Sequence, residues 1–185
     1  MIHGIRTVHL ATFASCALLV ACRQAPDPAQ LTAVDQLISA TDAAVLTLNE
    51  LDRGRYRRSD SLFRDQQAGF ASLFEDTLGR HAATVLADQY IALRASAAMG
   101  SDHERLLADI TSSSERLRVL RSDLSNGSIQ KEKGALLIGH EQQRHTAIIE
   151  EVHHVIDNYR TLQQAWDRRD TVAVLLSEAN PSTAP

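Results

Sequence analysis

The sequence predicts an all-α fold: an elongated antiparallel bundle of three to four long helices with left-handed, coiled-coil-like packing. Three observations lead there. Apolar residues recur at alternating steps of three and four over long stretches, and no stretch alternates with period two. Only 4% of the 185 residues are aromatic, with 8 Gly and 4 Pro, which argues against a β-sandwich or a collagen-like chain. Two Cys are too few for a disulfide scaffold, and no internal repeat marks a solenoid. The length suits about one domain with its own core. A formal charge of −4 gives no electrostatic footprint for nucleic acid.

The N-terminus is organised differently from the rest. Arg6 is the only formally charged residue before Cys22, and Leu10 to Ala21 is apolar or small throughout. A run of about a dozen residues is too short to span a bilayer but suits the hydrophobic region of a secretory signal. Leu19-Val20-Ala21-Cys22 resembles the lipobox of bacterial lipoproteins. That resemblance covers only this segment. It implies cleavage before Cys22 and acylation of the Cys22 thiol and the new amino terminus, with the lipid as the only attached group. Arg23, where an Asp would favour inner-membrane retention, implies the outer membrane. The implied division is a signal peptide at 1–21, a lipidated Cys and short tether at 22–28, a helical bundle domain at 29–178 and a disordered tail at 179–185. Cys16 leaves with the signal and Cys22 carries lipid, so the mature domain keeps no free thiol for a disulfide, a thiolate metal site or a nucleophile.

Asp27-Pro28 reads as a helix start, a cap followed by Pro in the first turn. The first helix then runs to about Asp52, with Leu31, Val34, Ile38, Thr41, Val45 and Leu48 on one stripe flanked by Leu37, Ala44 and Leu51. Arg53 to Arg58 breaks that pattern and reads as a loop. The second helix runs from Ser59 or Asp60 to Ala98 through Phe63, Phe70, Leu73, Phe74, Leu78, Val85, Leu86, Tyr90 and Leu93, with Gly79 its weakest point. Gly100-Ser101-Asp102 reads as a turn. The third helix carries His103, Leu106, Ile110, Ser113, Leu117, Leu120 and Leu124, and Asn126-Gly127-Ser128 ends it. The fourth runs from Ile129 to Arg169 with Leu137, Ile148, Val152, Val155, Tyr159, Leu162 and Trp166 on one face. Thr171 to Ser177 adds a short helical segment.

Four of the eight His fall between His140 and His154. His140-Glu141 begins like a zincin motif, but Arg144 stands where the second His belongs. Glu150-x-x-His153 and Glu151-x-x-His154 match a ferritin-like pattern on one helix only, whereas a di-metal bundle needs it on two. These are weak metal candidates, and a solvated face of paired charges explains them as well. Glu141 and His145, four apart, lie on the inward face. Counting through the Gly127 turn places Ser113 and Ser114 opposite Glu141, and counting along the second helix adds Gln89 and Tyr90. The expectation is a polar layer of Ser113, Glu141 and His145 that fixes helix register. The same residues have the types of a hydrolytic triad, but a mid-helix Ser lacks the exposed turn and oxyanion amides that such chemistry needs. Arg53, Arg55, Arg57 and Arg58 form a basic tip suited to anionic head groups or an acidic partner.

The resulting expectation is a membrane-anchored envelope lipoprotein. It would act as a helical scaffold, adaptor or accessory binding module, not an enzyme, with the membrane and another envelope protein as partners. The alternative is a periplasmic carrier or sensor for a ligand or metal, using the polar layer or the His-rich face.

Overall fold

Asp27 opens the helical part as its chemistry dictates. Its carboxylate accepts from the Ala29 N–H at 2.9 Å, and Pro28 at the first helical position has no N–H to leave unpaired. In this computed structural model, residues 25–73 and 79–179 are described. They form six helices: α1 Pro28–Asn49, α2 Gly54–Leu73, α3 Arg80–Arg94, α4 Ser96–Ser125, α5 Lys131–Asp167 and α6 Arg169–Ala179. No strand occurs among the described residues. Cys16, Cys22 and the rest of 1–24 lie outside them, as do Phe74, Leu78 and the tail from residue 180. The all-α class stands, with six helical segments among the described residues.

The packing partners define the topology. Val34 and Leu37 of α1 pack with Leu117, Leu120 and Leu124 of α4 and Ile138 of α5. Further along, Ala44 and Leu48 meet Leu106, Ile110, Val152 and Val155. So α1 runs antiparallel to α4 and parallel to the first half of α5. Tyr56 packs with Ala92, Leu93, Tyr159, Leu162 and Ala165, and Phe70 packs with Leu86 and Val172. The six helices therefore make three rods, up, down and up: α1–α2, α3–α4 and α5–α6. At Ala95 and Arg168 the backbone stays near helical values (φ −80°, ψ −8° and φ −89°, ψ 0°), so these rods are interrupted without reversing. A true reversal comes at Gly127, whose φ of 65° is open to glycine. There the Ser128 and Gly127 N–H groups donate to the carbonyls of Asp123 (2.9 Å) and Leu124 (3.2 Å), closing the α4 end in a Schellman arrangement.

Two expected loops are helical. Arg53 to Arg58 is not a loop: α2 starts at Gly54, where the Asp52 carboxylate accepts the Gly54 N–H at 2.9 Å and the Asp52 carbonyl accepts the Arg55 N–H at 2.9 Å. The reason is an inward seam of Tyr56, Ser59, Phe63, Gln66 and Phe70, stepping by three and four, that begins inside the basic run. Gly100 is not in a turn either but within α4. A Cβ there would lie 3.2 Å from the Tyr56 Cβ, so this glycine lets α2 and α4 approach closely. His81 is exposed on α3.

Leu162 is fully buried, whereas Leu136 is 60% exposed. Leu162→Ala should cost about 2–5 kcal/mol in urea unfolding, and Leu136→Ala less than about 0.5 kcal/mol. Equal effects would contradict the packing described here.

Candidate functional site

The core is not uniformly apolar. Four apolar clusters follow one another along the bundle, and polar side chains sit at each junction. At the first junction, Thr41 of α1, Ser113 and Ser114 of α4 and Glu141 of α5 are buried, with His145 half-buried one turn beyond Glu141. Ser113 and Glu141 are buried at this junction, and His145 borders it. Glu141 Oε1 accepts from Arg144 Nη1 at 2.6 Å and lies 3.7 Å from Arg116 Nε of α4. Glu141 Oε2 and His145 Nε2 are buried without a hydrogen-bond partner among the described residues. These contacts do not assemble a hydrogen-bonded Ser–His–Glu triad. Thr41 donates to the Leu37 carbonyl at 2.7 Å, and Ser114 donates to Asp42 at 3.1 Å. Asp42 in turn pairs with Arg118 at 3.1 Å. The layer therefore joins all three helices of this half.

Gln89 and Tyr90 do not belong to that level. Gln89 is fully buried between Leu86 and Leu93, which pack against Val172 and Leu162 in the other half. Tyr90 makes edge contacts with Phe63 and Phe70, both with centroids at 5.5 Å. The side of α5 at Glu141 is covered by α1, with Thr41 between Leu37 and Ala44, and not by α3. Gln89 instead shares a junction with Gln66 of α2. Both Gln89 amide atoms and Gln66 Oε1 are buried without partners among the described residues.

Between these two levels lies a waist that the sequence reading did not find. The Tyr56 hydroxyl and His103 Nδ1 share a hydrogen bond of 3.1 Å. Tyr56 also stands edge-on to Tyr159 at 5.8 Å, so α2, α4 and α5 meet here. Burial pushes the Tyr56 hydroxyl up to about 12, with Tyr159 adding to the shift. Burial, and then the Arg53 charge, lowers the His103 imidazole below its usual value, against weaker opposing pulls from the Leu48 carbonyl and Glu104. Both groups are therefore neutral at pH 7. The spacing of Tyr56 to Phe63 and Phe70, seven and seven, was the available signal.

The four arginines separate. Arg55 and Arg58 lie over the Trp166 ring at 5.1 and 6.0 Å, and Arg169 reaches it at 5.1 Å. Arg58 also pairs with Asp52. Arg53 and Arg57 instead line a cleft of about 610 Å³ with Tyr56, Asp60, Gly100 and Glu104. The basic residues are thus a belt around the middle of the bundle, not its tip. Glu150, His153 and His154 are exposed on α5, and Glu151 is engaged with Arg105 of α4 at 3.2 Å. No group of three metal-ligating side chains gathers among the described residues.

No protein family, curated protein or solved structure matches the chain.

Replacing the first layer tests its role. Glu141→Leu with His145→Leu should unfold at the same or a higher urea concentration, yet populate extra oligomers in sedimentation. A lower midpoint with an unchanged monomer would mean that the layer supplies stability, not register. The waist makes a separate expectation about pH. An unfolded His titrates near 6.5. With the folded value of His103 lower, the unfolded chain takes the proton first. Its stabilisation is complete above about pH 6.5 and is lost as pH falls toward the folded value, at no more than about 1.4 kcal/mol per pH unit. The urea midpoint should fall more between pH 7.5 and 5.5 in the unmodified protein than in His103→Leu; parallel profiles would remove His103 as the cause.

Proposed function

We propose that the chain is a cell-envelope lipoprotein whose helical part serves as a scaffold or adaptor and performs no catalysis. The observation that carries this reading is the Leu19-Val20-Ala21-Cys22 sequence behind a short apolar run and a single Arg6. The bundle begins at Pro28, so the five residues 23–27 tether it within about 17 Å of a lipidated Cys22. The end it holds is compact. Lys131 pairs with Asp27 at 2.9 Å, which keeps the Asp27 carboxyl below its usual range, and the Gln30 amide donates to the Lys131 carbonyl at 2.7 Å.

In this reading the α4–α5 turn faces the membrane, and the arginine belt stands one α1 length away, about 33 Å. The belt then meets an envelope partner, not lipid head groups. Arg23 supports the outer membrane. By length and composition α1 is apolar enough to cross a bilayer, but Val34, Leu37, Thr41, Ala44 and Leu48 are buried against α4 and α5, so it serves as a core helix. The alternation of three and four along the rods favours left-handed packing of the coiled-coil kind. Glu141 Oε2 and His145 Nε2, buried and partnerless, favour the carrier alternative. A ligand-dependent melting shift lost in His145→Gln would establish it.

Growth with a radiolabelled fatty acid tests the anchor. Label should enter the protein and be lost in Cys22→Ala. An unlabelled protein would overturn the localisation and return residues 1–21 to the folded chain.

A further inference from the structure

In the half of the bundle built from α1, α4 and α5, the last two helices leave a groove of about 450 Å³ between them. It is lined by α4, α5 and the turn residue Ile129, and by no residue of α1. Val119 and Leu120 form one wall; Ile129 and Leu137 form the other. Val119, in this lining, is 61% exposed. Covering this apolar strip removes Val119, Leu120, Ile129 and Leu137 further from water, which is favourable. From Ser112 to Asp123 the α4 wall is about 16 Å long, close to three helical turns.

The charges are arranged around this apolar strip. Glu115, Val119 and Asp123 succeed one another at four-residue steps along one edge of α4, so two carboxylates flank an exposed valine about 12 Å apart. Neither carboxylate has an ion pair among the described residues. The basic side chain in the lining, Arg116, is already engaged with Glu141 and with the Ser112 hydroxyl at 2.9 Å. The groove therefore offers apolar surface with uncompensated negative charge at both ends.

We propose that this groove receives an amphipathic helix of a partner protein, about three turns long, carrying basic side chains two turns apart on either side of an apolar residue. Such a helix completes a four-helix half, covers Val119, Ile129 and Leu137, and sets its cations against Glu115 and Asp123. The charge pattern selects this occupant. Two copies of the chain meeting groove to groove bring like carboxylates together, and an anionic membrane is repelled. The proposal rests on the adaptor reading and names the surface and the chemistry of its partner; it needs no lipid on Cys22.

The probe is an 18-residue amphipathic peptide of Leu and Lys, compared with one of the same pattern in Leu and Glu. Binding is read by fluorescence anisotropy to the purified full chain, with buffer alone as blank. The Leu/Lys peptide should bind at least tenfold more tightly than the Leu/Glu peptide. Glu115→Lys with Asp123→Lys should reverse that order, since both sites are exposed or half-exposed and the fold tolerates them. Ile91→Asp, at an equally exposed residue of α3, should change nothing. Absence of binding, or a preference that survives the double reversal, would overturn the proposal. A peptide-free dimer that Val119→Glu dissociates would also overturn it, by assigning the groove to a second copy. Fatty-acid labelling reads the anchor independently, so a labelled protein with an inert groove would sink this proposal alone.

Discussion

Everything in this molecule is arranged around the burial of one long helix. α5 runs for 37 residues, about 55 Å, without interruption, and it touches each of the other five helices. Its inward face carries Ile138, Val152, Val155, Tyr159, Leu162 and Ala165, interrupted by the polar level of Glu141 and His145. No shorter helix can cover that length, and the chain solves the problem by relay. Along its length α1 and then α2 cover it on one side, α4 and then α3 on another. The interruptions at 50–53 and Ala95 are staggered, so α5 is not left uncovered on both sides at one height.

A relay of short helices has a register problem that one continuous apolar seam does not solve, because apolar faces slide past one another with little change in energy. The polar levels supply the missing discrimination. Thr41, Ser113, Ser114, Glu141 and His145 meet at one height, Tyr56 and His103 at a second, and Gln66 and Gln89 at a third. Sliding one rod by a turn would place a carboxylate or amide against leucines, which is costly in an apolar interior. Surface pairs add a weaker version of the same constraint: Asp35 with Arg121 and Asp42 with Arg118 tie α1 to α4, but these pairs are about half exposed and worth little each. At the waist Tyr56 is the joint between the halves, since it touches α4 through His103 and α5 through Tyr159.

Much of this was legible in the residues. His103, Leu106, Ile110, Ser113, Leu117, Leu120 and Leu124 step regularly, and all seven are buried. Gly127 ends α4 with the positive φ that an Asn-Gly-Ser sequence suggests. Ser113, Glu141 and His145 lie within one hairpin, where counting along helices is reliable. Counting failed across the interruptions. Gln89 sits in the other half from the expected layer because α1, not α3, faces this part of α5, and Thr41 falls within an otherwise apolar stripe. The basic run hid the α2 seam: four arginines look like a loop, yet three of them reach outward from a helix whose inward residue is Tyr56. Gly100 was misread for a related reason. A glycine in a polar stretch suggests a turn, but here its missing side chain makes room for Tyr56. Function was the least legible, because a register layer and a binding layer use the same residue types.

The central claim is that α5 and the waist make the two halves one cooperative unit. Native-state hydrogen exchange along the chain tests it most directly. The α5 amides from Ile138 to Leu162 should exchange last, with the buried amides of α1, α4, α2 and α3 joining one opening that has the free energy of global unfolding. A separate, lower-energy opening of α2, α3 and α6, with α1, α4 and the first half of α5 still protected, would contradict it.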